Sequence, residues 1–98
     1  MDMYYVMIEA VALNNNDESE LYGGAFINCW TKAETKNMAI DIAKEYINEQ
    51  GWEIVNIEEI SKVSREKYLD SIEILEVYDE ACECGVAAII YTWPISTE

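Results

Sequence analysis

The sequence contains no histidine, and its six basic residues include a single arginine, Arg65. A serine or cysteine nucleophile usually needs a histidine as its base, so acyl-transfer chemistry lacks its usual partner here. Phosphate sites usually draw on arginines or on a glycine-rich loop after a strand, whereas Gly23-Gly24 precedes one. We therefore predict a protein that is not an enzyme and has no catalytic residues.

Cysteine is also scarce, with three residues at positions 29, 82 and 84. A structural zinc site needs four ligands, usually in two close pairs, and Cys82 and Cys84 supply at most one pair. Redox chemistry of the thioredoxin type needs a C-x-x-C pair, which is absent. No metal and no cofactor is predicted. The odd number of thiols, and a start without a basic segment or cleavage site, predict reduced cysteines and a cytoplasmic protein.

Long apolar runs are absent as well, and positive charge is scarce. No run approaches the roughly 20 apolar residues that cross a bilayer, so no membrane association is predicted. Twenty Asp and Glu against six Lys and Arg give a net charge of −14, which repels nucleic acids and anionic lipids. The expected partner is a protein, and this field favours a basic one. The acidity is equally consistent with a role in solubility alone.

The 98 residues suffice for one domain, 1–98. Alternation of apolar and polar residues predicts strands, and helical spacing predicts helices. The predicted strands are 3–13, 24–32, 52–63 and 86–93; the predicted helices are 36–50 and 72–84. A polar loop is expected at 14–20, and Ser64 is expected to cap a short helical turn through Leu69.

The element order β-β-α-β-α-β predicts an α+β fold with a four-stranded, mainly antiparallel sheet. Because βαβ crossovers are right-handed, both helices are expected on one face, in a two-layer sandwich with ferredoxin-like layers. In the first strand, Tyr4, Val6 and Ile8 are predicted to face the core. In the third strand, Val55 and Ile57 are predicted to point one way and Ile54 the other.

Four short segments carry a resemblance to a family of short, uncharacterised bacterial proteins. They are Asn28-Cys29-Trp30, Gly51-Trp52-Glu53-Ile54, Tyr68 and Trp93-Pro94. The resemblance would extend over most of the chain, and it implies a bacterial, cytoplasmic α+β domain. It implies no mechanism and no functional residues.

Aromatic residues form the first candidate surface for a partner. Several fall on strand faces that are not assigned to the helices: Tyr5, Phe26, Trp30, Trp52, Tyr91 and Trp93. An open sheet face with this much aromatic area is typical of an interface, including that of a homodimer. If one or more strands are inverted, the same rings belong to the core, because a shift of one residue exchanges the two faces.

The second helix provides the alternative surface. Four of its acidic residues are expected to face solvent: Glu73, Glu76, Glu80 and Glu83. No Lys or Arg follows Lys67 to balance them. This stripe favours an acidic mimic of nucleic acid, of the inhibitor or immunity type, as an alternative function. A small enzyme that uses a pair of carboxylates is the third hypothesis.

Overall fold

The computed structural model describes residues 1–12 and 22–94. Its strands are β1 (Asp2–Ala12), β2 (Tyr22–Ala33), β3 (Trp52–Val63) and β4 (Val86–Pro94). Its helices are α1 (Lys36–Glu49), α2 (Ile72–Cys84) and a 3-10 helix (Arg65–Tyr68). None of the helices in these two ranges is long and apolar enough to cross a membrane.

The strands form one antiparallel sheet in the order β3-β1-β2-β4. The predicted α+β class, element order and four-stranded antiparallel sheet are confirmed, and each element agrees with its predicted range to within two residues. The predicted loop 14–20 lies outside the described residues. The long antiparallel pair of β1 and β2 places two central strands between two edge strands, β3 and β4.

One face of the sheet, here called the α1 face, carries the larger part of the core. Tyr4, Val6 and Ile8 are buried there as predicted. Alternate residues of both central strands are fully or almost fully buried on this face: Tyr4, Val6, Ile8, Ala10, Ala25, Ile27 and Cys29. Ala43 and Ile47 of α1 pack on them. The helix begins where the Thr35 hydroxyl accepts a hydrogen bond from the Met38 amide at 3.1 Å. It ends before Gly51, whose φ of 93° favours glycine.

The other face, here called the α2 face, carries a second core. Met3, Trp30 and Ala87 occupy the alternate positions of β1, β2 and β4, and they pack against Tyr78 and Ala81 of α2. Tyr68 of the 3-10 helix joins the same cluster. Because neighbouring residues of a strand point to opposite faces, the two helices lie on opposite faces of the sheet.

The expected two-layer arrangement, with both helices on one face, is therefore wrong. The rule of right-handed crossovers governs parallel strands, and β2 and β3 are parallel on either side of β1. In contrast, β3 and β4 are antiparallel and lie at opposite edges. The connection through α2 is thus free to cross the second face, and the sheet is covered on both sides.

Two β-bulges change the register of β3. Ile57 pairs with Ile8 and Ile54 with Ala10, which leaves Glu58 and Val55 as the extra residues. As a result, Ile54 and Ile57 both pack against the α1 cluster, and Val55 is 55% exposed. The prediction that Val55 and Ile57 share a face was wrong. Bulges and charged side chains, both present in β3, disfavour pairing of an edge strand with another chain.

Candidate functional site: the open half of the α2 face

The α2 face is covered over only part of its area. α2 and the 3-10 helix lie over the part that carries Met3, Tyr5 and Trp30. The register places twelve further residues on the same face, and we call them the open half. They are Met7, Glu9 and Val11 of β1; Gly24, Phe26 and Asn28 of β2; Glu53, Asn56 and Glu59 of β3; and Ile89, Tyr91 and Trp93 of β4. Ile89 lies at the boundary and also packs against the cluster under α2.

Aromatic rings occupy the β2–β4 side of the open half. Phe26 is 39% exposed and Tyr91, its partner in the ladder, is 50% exposed. The rings of Phe26 and Trp93 contact each other with centroids 5.0 Å apart and a tilt of 47°. Trp93 lies against Gly24, where an added Cβ would clash with the indole. Glycine at this position lets the indole lie close to the backbone, beside Phe26.

Carboxylates occupy the opposite side of the open half, on β1 and β3. Glu9 pairs with Phe26 in the ladder, and Glu53 pairs with Val11. Glu59 pairs with Met7 one step nearer the helices. None of the twelve residues of the open half is basic. The surface is therefore apolar and aromatic on one side and negatively charged on the other.

Alternation along β1 already placed Glu9 beside Tyr5 and Met7 in the sequence, so this carboxylate was open to prediction. Glu53 and Glu59 are six positions apart, so alternation alone places them on one face, and the two bulges together leave that relation unchanged. Alternation would also place Val55 and Ile57 on that face, whereas the bulges carry Ile57 to the α1 face. The sequence therefore left open that this face of β3 is polar and belongs to the open half.

Trp30 is a core residue and was wrongly expected on an open surface. It is 1% exposed, and its indole N–H donates a 3.1 Å hydrogen bond to the Tyr68 hydroxyl. Its ring meets Tyr68 edge-on at 5.7 Å and Tyr5 at 5.4 Å. It shares a face with Phe26 as predicted, but α2 and the 3-10 helix cover that end of the face.

Trp52 was also wrongly expected on the open surface. It is 4% exposed and belongs to the cluster under α1, on the other side of the sheet. The bulge at Val55 is the reason, since it brings Trp52 and Ile57 to one face although they are five positions apart. Of the six aromatic residues expected on this surface, Phe26, Tyr91 and Trp93 lie on the open half, and Tyr5 packs against the cluster under α2.

A cleft of about 270 Å³ lies where the open half meets the helices. In it the Tyr5 hydroxyl donates a 2.8 Å hydrogen bond to the Asn28 side-chain oxygen. Burial, followed by the charge of Glu59, raises the pKa of Tyr5 above its ordinary value. Tyr5 therefore remains a neutral hydrogen-bond donor at physiological pH. Lys67 also lines the cleft, with its ammonium 6.0 Å from the centre of the Tyr68 ring.

The acidic stripe of α2 faces solvent as predicted. Glu73, Glu76, Glu80 and Glu83 are all exposed. Asp79 on the same helix forms two hydrogen bonds with the Arg65 guanidinium, at 2.9 and 3.1 Å. These bonds, with the arginine charge, lower the pKa of Asp79. The single arginine thus balances one acidic residue of this region and leaves the glutamates of the stripe in water.

Metal-ligating side chains are dispersed within residues 1–12 and 22–94. No three of the Asp, Glu and Cys residues there come together in a way that could hold a metal ion. All three cysteines are free thiols. Burial raises the pKa of the Cys29 thiol to about 11, although a contact with the Thr31 hydroxyl at 3.5 Å opposes the shift. Such a thiol is a poor nucleophile.

Comparisons of this chain with protein-family models, with curated proteins and with solved structures found no match. The function is therefore argued from the surface itself.

Proposed function

We propose that this domain is a non-catalytic protein-binding module and that the open half of the α2 face is its contact surface. The observation that supports this most directly is the exposure of Phe26 and Tyr91 on a sheet face that α2 covers only in part. Aromatic side chains at the centre of a surface are the usual anchors of protein interfaces, because they bury a large area at little cost in side-chain entropy.

The small size of the domain also supports the proposal that it binds a partner protein. A chain of 98 residues buries only about two-thirds of its unfolded surface, so contact with a second protein adds useful burial. A homodimer through the same face is one form of this proposal. Trp93 and its neighbours would then meet their own copies across a two-fold axis.

The experiment compares a double variant, Phe26→Ser with Tyr91→Ser, with a control, Ile72→Ser. Ile72 is 75% exposed at the start of α2, so the control removes an apolar side chain from a different surface. Sedimentation equilibrium measures self-association, and capture from the native cell followed by mass spectrometry measures partner binding. We expect the double variant to lose both activities without unfolding and the control to keep them. Retention of a partner by the double variant would refute the proposal.

The stripe of α2 supports a second candidate function, an acidic mimic that occupies a basic groove of a nucleic-acid-handling protein. Its support is the exposure of the four glutamates Glu73, Glu76, Glu80 and Glu83 on one helix. In this case, reversal of Glu73, Glu76 and Glu80 to lysine abolishes binding, and the affinity of the native chain falls steeply with salt. Binding that is insensitive to salt would exclude it.

We further propose a bacterial protein that works in the cytoplasm. The resemblance noted above and the three free thiols support this placement. A carboxylate-dependent enzyme remains the third hypothesis. A buried Asp or Glu with a raised pKa in a cleft would be the feature that supports it.

A further inference from the structure

We infer that the partner presents a cationic amphipathic helix, which lies on the open half with its apolar stripe against the aromatic side and its Lys or Arg residues toward Glu9, Glu53 and Glu59. This inference rests on the proposed function and adds the chemistry of the partner. It follows from the division of one surface into two sides of different character.

The charges of the surface are the first reason. Glu9 is opposite Phe26 in the ladder, so a carboxylate and an exposed ring are neighbours on adjacent strands. Glu53 extends the negative side along β3. None of the twelve residues of the open half is a lysine or arginine, although Lys67 lines the cleft beside Glu59 and Lys44 lines a groove with Glu53. Glu9, in the middle of the surface, therefore gains most from a positive partner. A second copy of the chain would instead bring a further charge of −14.

The dimensions are the second reason. From β3 to β4 the sheet spans three strand spacings, or roughly 14 Å. An α-helix with its side chains is about 10–12 Å across, so one helix can touch Tyr91 and reach Glu53 at the same time. Helix α2 already packs through an apolar stripe on the neighbouring part of this face, against Trp30 and Ala87. A partner helix would continue the layer that α2 begins.

The aromatic rings are the third reason. Exposed rings such as Phe26 and Tyr91 attract the ammonium and guanidinium groups of a partner through cation–π contacts as well as its apolar side chains. A basic amphipathic segment is recognised by both sides of the surface. An acidic segment with the same apolar stripe meets repulsion from Glu9 and Glu53.

The test uses three synthetic peptides with one apolar pattern of leucines at helical spacing and with Lys, Gln or Glu on the polar face. Calorimetric titration gives their affinities, and amide NMR shifts of the protein show where each binds. We expect the Leu–Lys peptide to bind at least about tenfold more tightly than the Leu–Gln peptide, with shifts in β1, β2 and β4 around Glu9, Phe26 and Tyr91. The Leu–Glu peptide is expected not to bind.

Matched variants separate this site from general attraction to an acidic protein. Glu9→Gln with Glu53→Gln removes two charges from the open half, and Glu76→Gln with Glu80→Gln removes two from α2. We expect the first pair to weaken the Leu–Lys peptide about fivefold and the second pair less than twofold. Equal losses would overturn the inference.

The outcomes also distinguish this inference from the proposed function. If the Leu–Gln peptide or a second copy of the chain occupies the open half as well as the Leu–Lys peptide does, the inference fails and the proposed function stands. If the shifts are confined to α2, or if no peptide binds, the inference fails. The proposed function fails separately, if the Phe26→Ser with Tyr91→Ser variant keeps the partner captured from the cell.

Discussion

Trp30 and Trp93 show how two tryptophans on one face of a sheet can differ in role. Trp30 lies under α2 and the 3-10 helix and donates a hydrogen bond to Tyr68, whereas Trp93 lies partly open beside Phe26. Their strand positions predict a shared face, and only the packing of the helices separates them. The sequence therefore predicted which face each ring is on, but not which part of that face is covered.

We expect Trp30→Ala to lower the free energy of unfolding by about 3–5 kcal/mol, because it leaves a cavity among buried rings and an unpaired Tyr68 hydroxyl. Trp93→Ala is expected to cost less, about 1–2 kcal/mol, since part of its ring is already in water. Urea unfolding monitored by circular dichroism measures both. Equal costs would contradict the division of the α2 face into covered and open parts.

Cys29 makes stability depend on pH in the alkaline range. Its folded pKa of about 11 lies above the ordinary value of 9.0, because burial disfavours the thiolate. A raised folded pKa gives a contribution that is fully present below pH 9 and lost as the pH rises to 11. The loss should be on the order of 2–3 kcal/mol.

Chemical denaturation at several pH values tests this prediction, with Cys29→Ala as the comparison. The decline between pH 9 and 11 should be shallower in the variant. A smaller decline should remain from Tyr5, Tyr46 and Tyr78, whose pKa values burial also raises. If the free energy of unfolding fell equally steeply with pH in the native chain and in the variant, the Cys29 thiol would not be buried as it is in the structure.

At the level of elements, the spacing of apolar residues and the capping residues at helix ends predicted most of the fold. Thr35 and Gly51 bound α1, and Gly85, with a φ of 96°, ends α2. The bulges of β3 were beyond prediction, because an inserted residue leaves no sign in a strand that is already rich in isoleucine and glutamate. The face taken by α2 was also hidden, since it depends on strand order and not on any local pattern.

The bulges give a direct prediction about β3. Val55 is the extra residue of one bulge and points to solvent, so Val55→Lys should change stability by no more than about 0.5 kcal/mol. Ile57→Lys places an unpaired charge against the core under α1 and should cost at least about 3 kcal/mol. Thermal unfolding of the two variants compares them. A large loss from Val55→Lys would indicate a regular strand without this bulge.

At the level of the whole molecule, charge and shape support the proposal that the open half is the contact surface. The net charge of −14 was read directly from the sequence, and it favours a basic partner without saying where that partner binds. The sheet separates the two cores, and among the surfaces formed by residues 1–12 and 22–94 the open half combines exposed rings with carboxylates. The acidic stripe of α2 carries charge but lacks exposed aromatic rings. It is therefore the alternative contact surface that each binding experiment must distinguish from the open half.

The most direct measurement is an amide NMR shift map of the chain with the partner captured from its own cell. The account predicts that the largest changes fall on the open half, in residues 7–11, 24–28 and 89–93. Changes concentrated on the exposed side of α2, around Glu73, Glu76 and Glu80, with the open half unaffected, would contradict it.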